Sequence, residues 1–385
     1  MLTGLKKIFT YSSRNTTIDT KQFLLKCFLK WQTFGQSANT MQNHYNWPLW
    51  HWHFEPSSIC TLHCPRCPRN EFPETLVQTQ LSLQFFKDNF DFDGIRKITF
   101  CGDDGDPIYA KEFLDIVSWF KQKDPTVSVN IVTNGSYKTP EWWQNLGSAL
   151  NEYDQIHFSF DGWDQASNEN YRVNCDWDSA VEGARTLRTT TDATMIWDAI
   201  AFRFNEDHID YMRSLAEKWK FDQFQLTLST KFGSKYSHYN TVGIDPLEPS
   251  QKFISGSHRF ERKINNLSGR RPKTDLALLE NIKYYNNVKQ LYKDQPIVPL
   301  CMIGTKGMFV NSQGYLLPCC WLGNRYNDVG GEQFYIPENN IKSQGLENVL
   351  NSSHWDGFIK QFNSLRECKN KCTSSIVNKE YATNW

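Results

Sequence analysis

"CTLHCPRC", residues 60–67, places three cysteines at C-x3-C-x2-C directly after an aromatic, histidine-rich run, "WPLWHWHFEPSSI" (47–59). Three thiols are an odd number for disulfides and one short of a closed four-ligand metal site. The chain has eleven cysteines, and eight fall in two groups: Cys60, Cys64 and Cys67, then Cys301, Cys319, Cys320, Cys368 and Cys372. Clustered thiols in a reducing compartment bind metal more often than they pair. Cys27, Cys101 and Cys175 stand alone and read as ordinary buried thiols. An iron–sulfur cubane has four irons, normally held by thiolates. Three cysteines on one tight loop would leave the fourth iron open, and an open position is what a metal needs to bind and activate a small molecule. A zinc site completed by a neighbouring histidine, such as His63, is the alternative at this point.

Outward from this loop, strands and helices alternate. "WHWHFEP" reads as a strand leading into the loop. "LSLQFFKDNFDF" reads as a helix, "IRKITFCG" (95–102) as a strand ended by the turn-rich "DDGDP", and "YAKEFLDIVSWFKQK" as a helix. The strand pattern returns at "VSVNIVTNG" (127–135), "QIHFSFDG" (155–162), "ATMIWDAIAFRFN" (193–205) and "FDQFQLTLS" (221–229). Helices lie between them, one opening on Pro140, which suits a first helical turn. Six strands joined by five helices imply parallel strands with right-handed crossovers, as an open doubly wound sheet or a partial barrel. In both, chemistry sits at the carboxyl ends of the strands, the face that carries the cysteine loop.

The whole chain sets limits. Its 385 residues suffice for one large domain or a large one plus a small one. Aromatic residues make up 15%, which argues for a real core and against disorder. Lys plus Arg and Asp plus Glu number 42 each, so net charge points to neither nucleic acid nor membrane. No apolar run reaches membrane-spanning length, and "MLTGLKKIFTYSSRNTT" lacks a signal-peptide core, so a cytoplasmic protein with no membrane partner is expected. "TKQFLLKCFLKWQTF" (20–34) reads as an amphipathic helix in an N-terminal extension, 1–46. Residues 230–296 read as a connector, with "SGSHRFERKINNLSGRRPK" as loop. Over 231–300 there are twelve Lys/Arg against six Asp/Glu, which fits either a solvated connector or a substrate-facing flap.

The motifs in order resemble the radical S-adenosylmethionine (SAM) enzymes. The resemblance covers roughly 50–228 and rests on C-x3-C-x2-C after the first strand and "GDP" (105–107) after the second. "TNG" (133–135), "FSFDG" (158–162) and Asn205 follow, ending the third, fourth and fifth strands. It implies a partial (β/α)6 TIM-like barrel over 47–229 and a [4Fe-4S] cluster on Cys60, Cys64 and Cys67. SAM would bind the open iron and be cleaved reductively to a 5′-deoxyadenosyl radical that abstracts hydrogen from substrate. Gly105 and Asp106 would take the place of the family's Gly-Gly-Glu-Pro motif, with Asp for the usual Glu. Ser159 and Arg172 resemble residues that hold the SAM carboxylate and its neighbours, and the planar fork of arginine suits that task. Arg66 departs from the family, which often has an aromatic residue or Met before the third cysteine. The resemblance also implies an electron donor such as flavodoxin or ferredoxin.

The second cysteine group reads as a hairpin and a helix. C-x12-G-x4-C from Cys301 through Gly314 to Cys319 frames "GMFVN", a turn "SQG" and "YLLP". "RECKNKC" sets Cys368 and Cys372 on one face of a helix. This resembles the SPASM domain of radical SAM enzymes in its shortened twitch form. It implies a small C-terminal iron–sulfur domain, 297–385, with one closed auxiliary [4Fe-4S] cluster on Cys301, Cys319, Cys368 and Cys372. Cys320 is the rival of Cys319, and a zinc knuckle is the alternative site. The substrate is left open between peptide and small molecule. An RNA-modifying enzyme and a non-catalytic zinc-binding interaction protein are the competing functions.

Overall fold

A computed structural model describes residues 41, 43–229, 232, 245–256, 262–270, 273, 295–304, 306–323 and 331–373. The chain divides into two compact units, Met1–Met41 and Gln42–Trp385. The helix expected at 20–34 and Cys27 lie outside the described residues, as does most of 230–296.

The second unit is built on one nine-stranded sheet in the order β7-β6-β5-β4-β3-β2-β1-β8-β9. Its first six strands are β1 His51–Phe54, β2 Lys97–Phe100, β3 Ser128–Thr133, β4 Gln155–Ser159, β5 Thr194–Ile200 and β6 Gln223–Thr227. All six pair in parallel with their neighbours. The crossover helices are α2 Leu83–Phe90, α3 Phe113–Lys123, α4 Pro140–Ala149, α6 Trp177–Thr190 and α7 Ile209–Lys218. A helical turn, α1 Pro68–Glu71, follows the cysteine loop, and the short α5 Gln165–Glu169 precedes α6. The sheet is open, because β7 and β9 form its two edges, so the expected partial barrel stands. Local chemistry starts the helices: Thr139 Oγ1 accepts from the Trp142 amide in front of Pro140, and Asp176 accepts from Ser179.

The two faces of the sheet differ. One carries Trp52, Phe54, Phe100, Phe158 and Trp197, all fully buried. The rings of Phe86 and Phe90 from α2 and Phe120 from α3 meet Phe54 at 4.8–6.3 Å, and Trp143 from α4 meets Phe158 at 5.3 Å. Such pairs each add about 0.5–1.5 kcal/mol beyond simple burial. The opposite, concave face carries His53, Thr99, Asn130, Gln155 and Thr194 in one hydrogen-bonded row. Parallel strands buried on both faces ordinarily read as continuous apolar runs. Here the alternation of polar with apolar residues marks a polar lumen.

Two features depart from the sequence reading. "SGSHRFERKINNLSGRRPK" is not all loop: β7, Arg262–Asn266, pairs antiparallel with β6. Its single-sided, polar sequence hid it, because an antiparallel edge strand has little to bury. Asn205 does not end a strand. β5 stops at Ile200, and Asn205 lies in the turn beyond, where its Oδ1 accepts from the Phe202 amide at 2.8 Å.

The C-terminal hairpin forms as expected, from β8 Met308–Val310 and β9 Leu316–Leu317, paired antiparallel. β8 also pairs in parallel with β1, so the hairpin extends the main sheet. A short helix, α8 Gln251–Gly256, lies in the connector, and four follow the hairpin: α9 Ile341–Gln344, α10 Leu346–Leu350, α11 Trp355–Gln361 and α12 Arg366–Lys371. Residues 43–47 dock on them. The Tyr45 hydroxyl donates to Asp356 at 2.9 Å, and Trp47 packs edge-on against the fully buried Trp355 at 5.3 Å.

Candidate iron–sulfur and SAM site

The cysteine loop leaves β1 at the carboxyl edge of the sheet. Its backbone carbonyls are tied down from its own C-terminal flank. The Arg69 guanidinium donates to the carbonyls of Cys60 (2.7 Å) and Leu62, and Asn70 Nδ2 to that of Cys64 (3.1 Å). From the far side Asn174 Nδ2 donates to the Thr61 carbonyl at 2.8 Å. Cys60, Cys64 and Cys67 gather in one apolar group with Leu62, Tyr171, Cys175 and Phe202. Cys175, read as idle, therefore lies beside the loop. Phe232 and Leu247, from the connector, pack on the same group. Arg66 makes a buried ion pair with Asp245 at 2.7 Å, so it fastens the loop to the connector.

Of the sequence-selected SAM residues, Gly105, Asp106 and Arg172 lie by this loop or the segment leading into it. Gly105 is required by close approach: a Cβ there would collide with the backbone of Ser57 and Ser58. Asp106 is 6% exposed, and its carboxylate accepts from Thr133 Oγ1 (2.9 Å), the Asn134 amide (2.7 Å) and Asn134 Nδ2 (2.6 Å). Burial pushes its carboxyl up to about 6, against the pull of these donors. Asn134 Nδ2 also lies 3.7 Å from the Cys60 sulfur. Ser159 ends β4, half-buried and opposite Asp198 of β5. Arg172 Nε donates to Asp161 Oδ2 at 2.6 Å, and its guanidinium also faces the Cys64 thiol.

Two residues that the motif reading passed over organise these contacts. Asp161 is fully buried and accepts from Arg172 and from the Ile200 amide at 2.7 Å, and its backbone carbonyl accepts from Asn205 Nδ2 at 2.8 Å. Glu55 is 2% exposed, and its Oε1 accepts from the amides of Asp104 (2.6 Å) and Gly105 (3.3 Å). Its Oε2 accepts from Ser312 in the C-terminal hairpin at 3.2 Å. Asp161 stands inside "FSFDG", so a buried Asp at a strand end was a usable signal. Glu55 gave none.

The second cysteine group also converges. Cys301, Cys319, Cys368 and Cys372 are each buried, and Cys301 and Cys319 are raised well above the usual thiol range by burial and by the other thiols of the set. Burial likewise lifts Cys368 to about 12. A hydrogen bond from the Val298 amide to the Cys372 carbonyl, 2.7 Å, closes the segment before Cys301 on the end of α12. Cys319 is extended, with φ −160° and ψ 163°, so its neighbour points elsewhere. Cys320 lies by Asp103 and Cys101, and its thiol also acts on the adjacent Cys319.

The donor chemistry of both groups suits iron–sulfur clusters. Buried thiols, with Cys60 lifted to about 12 and Cys64 to about 11, chiefly by burial, need a cationic partner to be held as thiolates. Among the described residues no three His, Cys, Asp or Glu side chains meet closely enough to hold a single metal ion.

The structure is a partial parallel barrel with three thiols on the loop after its first strand, at the carboxyl edge of the sheet, and four more beside an added hairpin. The chain carries a radical SAM domain and a SPASM domain: residues 54–215 match the Radical SAM superfamily model, and residues 301–373 match SPASM, the iron–sulfur cluster-binding domain. Its cofactors are accordingly a [4Fe-4S] cluster, SAM and auxiliary iron–sulfur chemistry. The fold is similar to that of Streptococcus suis SuiB bound to S-adenosylmethionine, with a TM-score of 0.54 at 14% identity over 94% of this chain and 80% of that one. A second SuiB structure gives a TM-score of 0.50 at 14% identity over 93% and 78%. No curated protein sequence matches the chain. No helix among the described residues is long and apolar enough to cross a membrane.

Proposed function

We propose that Cys60, Cys64 and Cys67 hold the catalytic cluster and that the chain abstracts hydrogen from a peptide or small-molecule substrate. The observation that carries this reading is the gathering of those three thiols with Arg172–Asp161 and Asn134–Asp106 at one strand edge. The cluster and SAM supply reductive cleavage to a 5′-deoxyadenosyl radical when bound. The protein fixes the loop through Arg69 and Asn70, and holds Arg172 in place through Asp161. It sets Gly105 so that backbone can approach backbone. Ser159 and Arg172 hold the SAM carboxylate and its neighbours, and Asp106 acts through Asn134, which lies between it and Cys60. Cys301, Cys319, Cys368 and Cys372 hold one auxiliary cluster. All four of its ligands come from the protein, which suits electron transfer with a flavodoxin- or ferredoxin-type donor or with substrate.

The test is anaerobic reconstitution with iron and sulfide, chemical reduction and assay for 5′-deoxyadenosine. Wild-type protein should release it from SAM without substrate, and Cys64→Ala should not. Zinc without iron in the reconstituted protein, or equal turnover in Cys64→Ala, would overturn the assignment.

A further inference from the structure

The lumen of the barrel holds several buried polar atoms that have no hydrogen-bond partner among the described residues. They are His51 Nε2, Thr99 Oγ1, Ser128 Oγ, both side-chain atoms of Asn130, and Gln225 Oε1. Each of these residues is at most 5% exposed. Strand register puts all of them on the same face. His51 pairs with Lys97 and Lys97 with Ser128, His53 pairs with Thr99 and Thr99 with Asn130, and Gln225 pairs with Asp198. Folded proteins satisfy about nine in ten such groups, and an orphaned buried amide is costly. On the aromatic face Trp143 Nε1 is also unpartnered, but the lumen gathers six such atoms on one face, which marks groups kept for a ligand.

We propose that Asn130 and Thr99 form the floor of the substrate pocket and read a neutral side-chain carboxamide, the primary amide of a glutamine-like group, in the substrate. This rests on the function proposed above and names the substrate class for that site. Asn130 offers a donor and an acceptor side by side, which an amide matches with two antiparallel hydrogen bonds. The row across the floor, His53–Thr99–Asn130–Gln155–Thr194, contains no Asp, Glu, Lys or Arg. His53 is neutral there, because burial lowers it to about 3 and its Nε2 lies 3.2 Å from the Cys101 carbonyl. Asn130 Oδ1 needs a donor, which a carboxylate cannot supply, although Lys97 on the same face and Lys306 lie within electrostatic reach of His53. At the carboxyl ends of the strands Ser159, Asp198, Ile200 and Thr227 are only half-buried. Asn130 lies four residues before Asn134 on the same strand path, about 13 Å deeper. That depth makes it a binding contact, separate from the reacting carbon near the cysteine loop.

The experiment uses anaerobically reconstituted protein with SAM and saturation-transfer NMR of three probes: the N-acetyl methylamides of glutamine, glutamate and leucine. Glutamine should bind at least about tenfold better than glutamate or leucine, the worth of one well-made hydrogen bond net of water. Asn130→Leu and Thr99→Val should each abolish that preference while iron content stays at the wild-type level. Thr99→Val, nearly isosteric, carries the test if Asn130→Leu fails to load iron. Equal binding of the three probes, or a preference unchanged in Thr99→Val, would mean that ordered water completes this network and would overturn the proposal. The wild-type assay for 5′-deoxyadenosine separates the two readings. SAM cleavage without amide preference rejects only the pocket, and amide preference without cleavage rejects only the radical chemistry.

Discussion

Cys319 and Cys320 are adjacent, yet they face different neighbourhoods. Cys319 lies with Cys301, Cys368 and Cys372, whereas Cys320 lies by Asp103 and Cys101. In a protein whose Cys60, Cys64 and Cys67 are already alanine, Cys319→Ala is expected to remove about four irons, one cubane. Cys320→Ala should leave iron content unchanged. Iron analysis and electron paramagnetic resonance of the two variants decide it, and the reverse pattern would exchange the ligands. Asp106 carries a different expectation. Its carboxylate is engaged by Thr133 and Asn134, so Asp106→Ala orphans buried donors and should lower unfolding free energy by about 1–3 kcal/mol. Denaturant unfolding of the SAM-free protein measures this, and an unchanged midpoint would show that Asn134 finds another acceptor.

At the scale of elements, Glu55 joins three pieces: the end of β1, the 103–105 turn after β2, and the β8–β9 hairpin. One carboxylate therefore connects the loop carrying Gly105 and Asp106 to the segment that ends in Cys319. Burial, and then the nearby Asp104, raise the Glu55 carboxyl from 4.5 to about 7. Between those values the folded protein binds more protons at Glu55 than the unfolded chain does. Its contribution to stability is therefore complete below pH 4.5 and is lost as pH rises through about 7. Glu55→Gln keeps an acceptor oxygen without the titration. The variant should show a flatter melting midpoint across that window than wild type, and parallel profiles in thermal scans would sink this account.

For the molecule as a whole, the two cysteine groups sit on one continuous sheet, with β1 at the junction between the parallel strands and the hairpin. Reconstituted protein is expected to carry about eight irons, two cubanes, and the Cys60/Cys64/Cys67 triple alanine variant about four. Because the hairpin is hydrogen-bonded to β1, loss of the first cluster should leave the sheet assembled and the second cluster loaded. A triple variant without any iron would mean that the auxiliary site depends on the first cluster to form.

The order of strands and helices from 51 to 227 was legible because each crossover helix has an apolar stripe and each strand a bounded run. The three-thiol loop was legible because a cubane needs closely spaced ligands, which leave a short local pattern. The same holds for the hairpin around Gly314 and for the pair Cys368 and Cys372, each a local period. What the sequence could not decide depends on residues distant in the chain. Glu55 meets Ser312, Arg66 meets Asp245, and Cys319 rather than Cys320 faces Cys372, through contacts that carry no local period. β7 escaped because an antiparallel edge strand can be polar. The lumen escaped because a buried polar residue looks like a surface one until register shows which face it shares. Local patterning determined the elements and the cluster loops. Only tertiary pairing, by bringing distant strands into register, decided which side chains share a site.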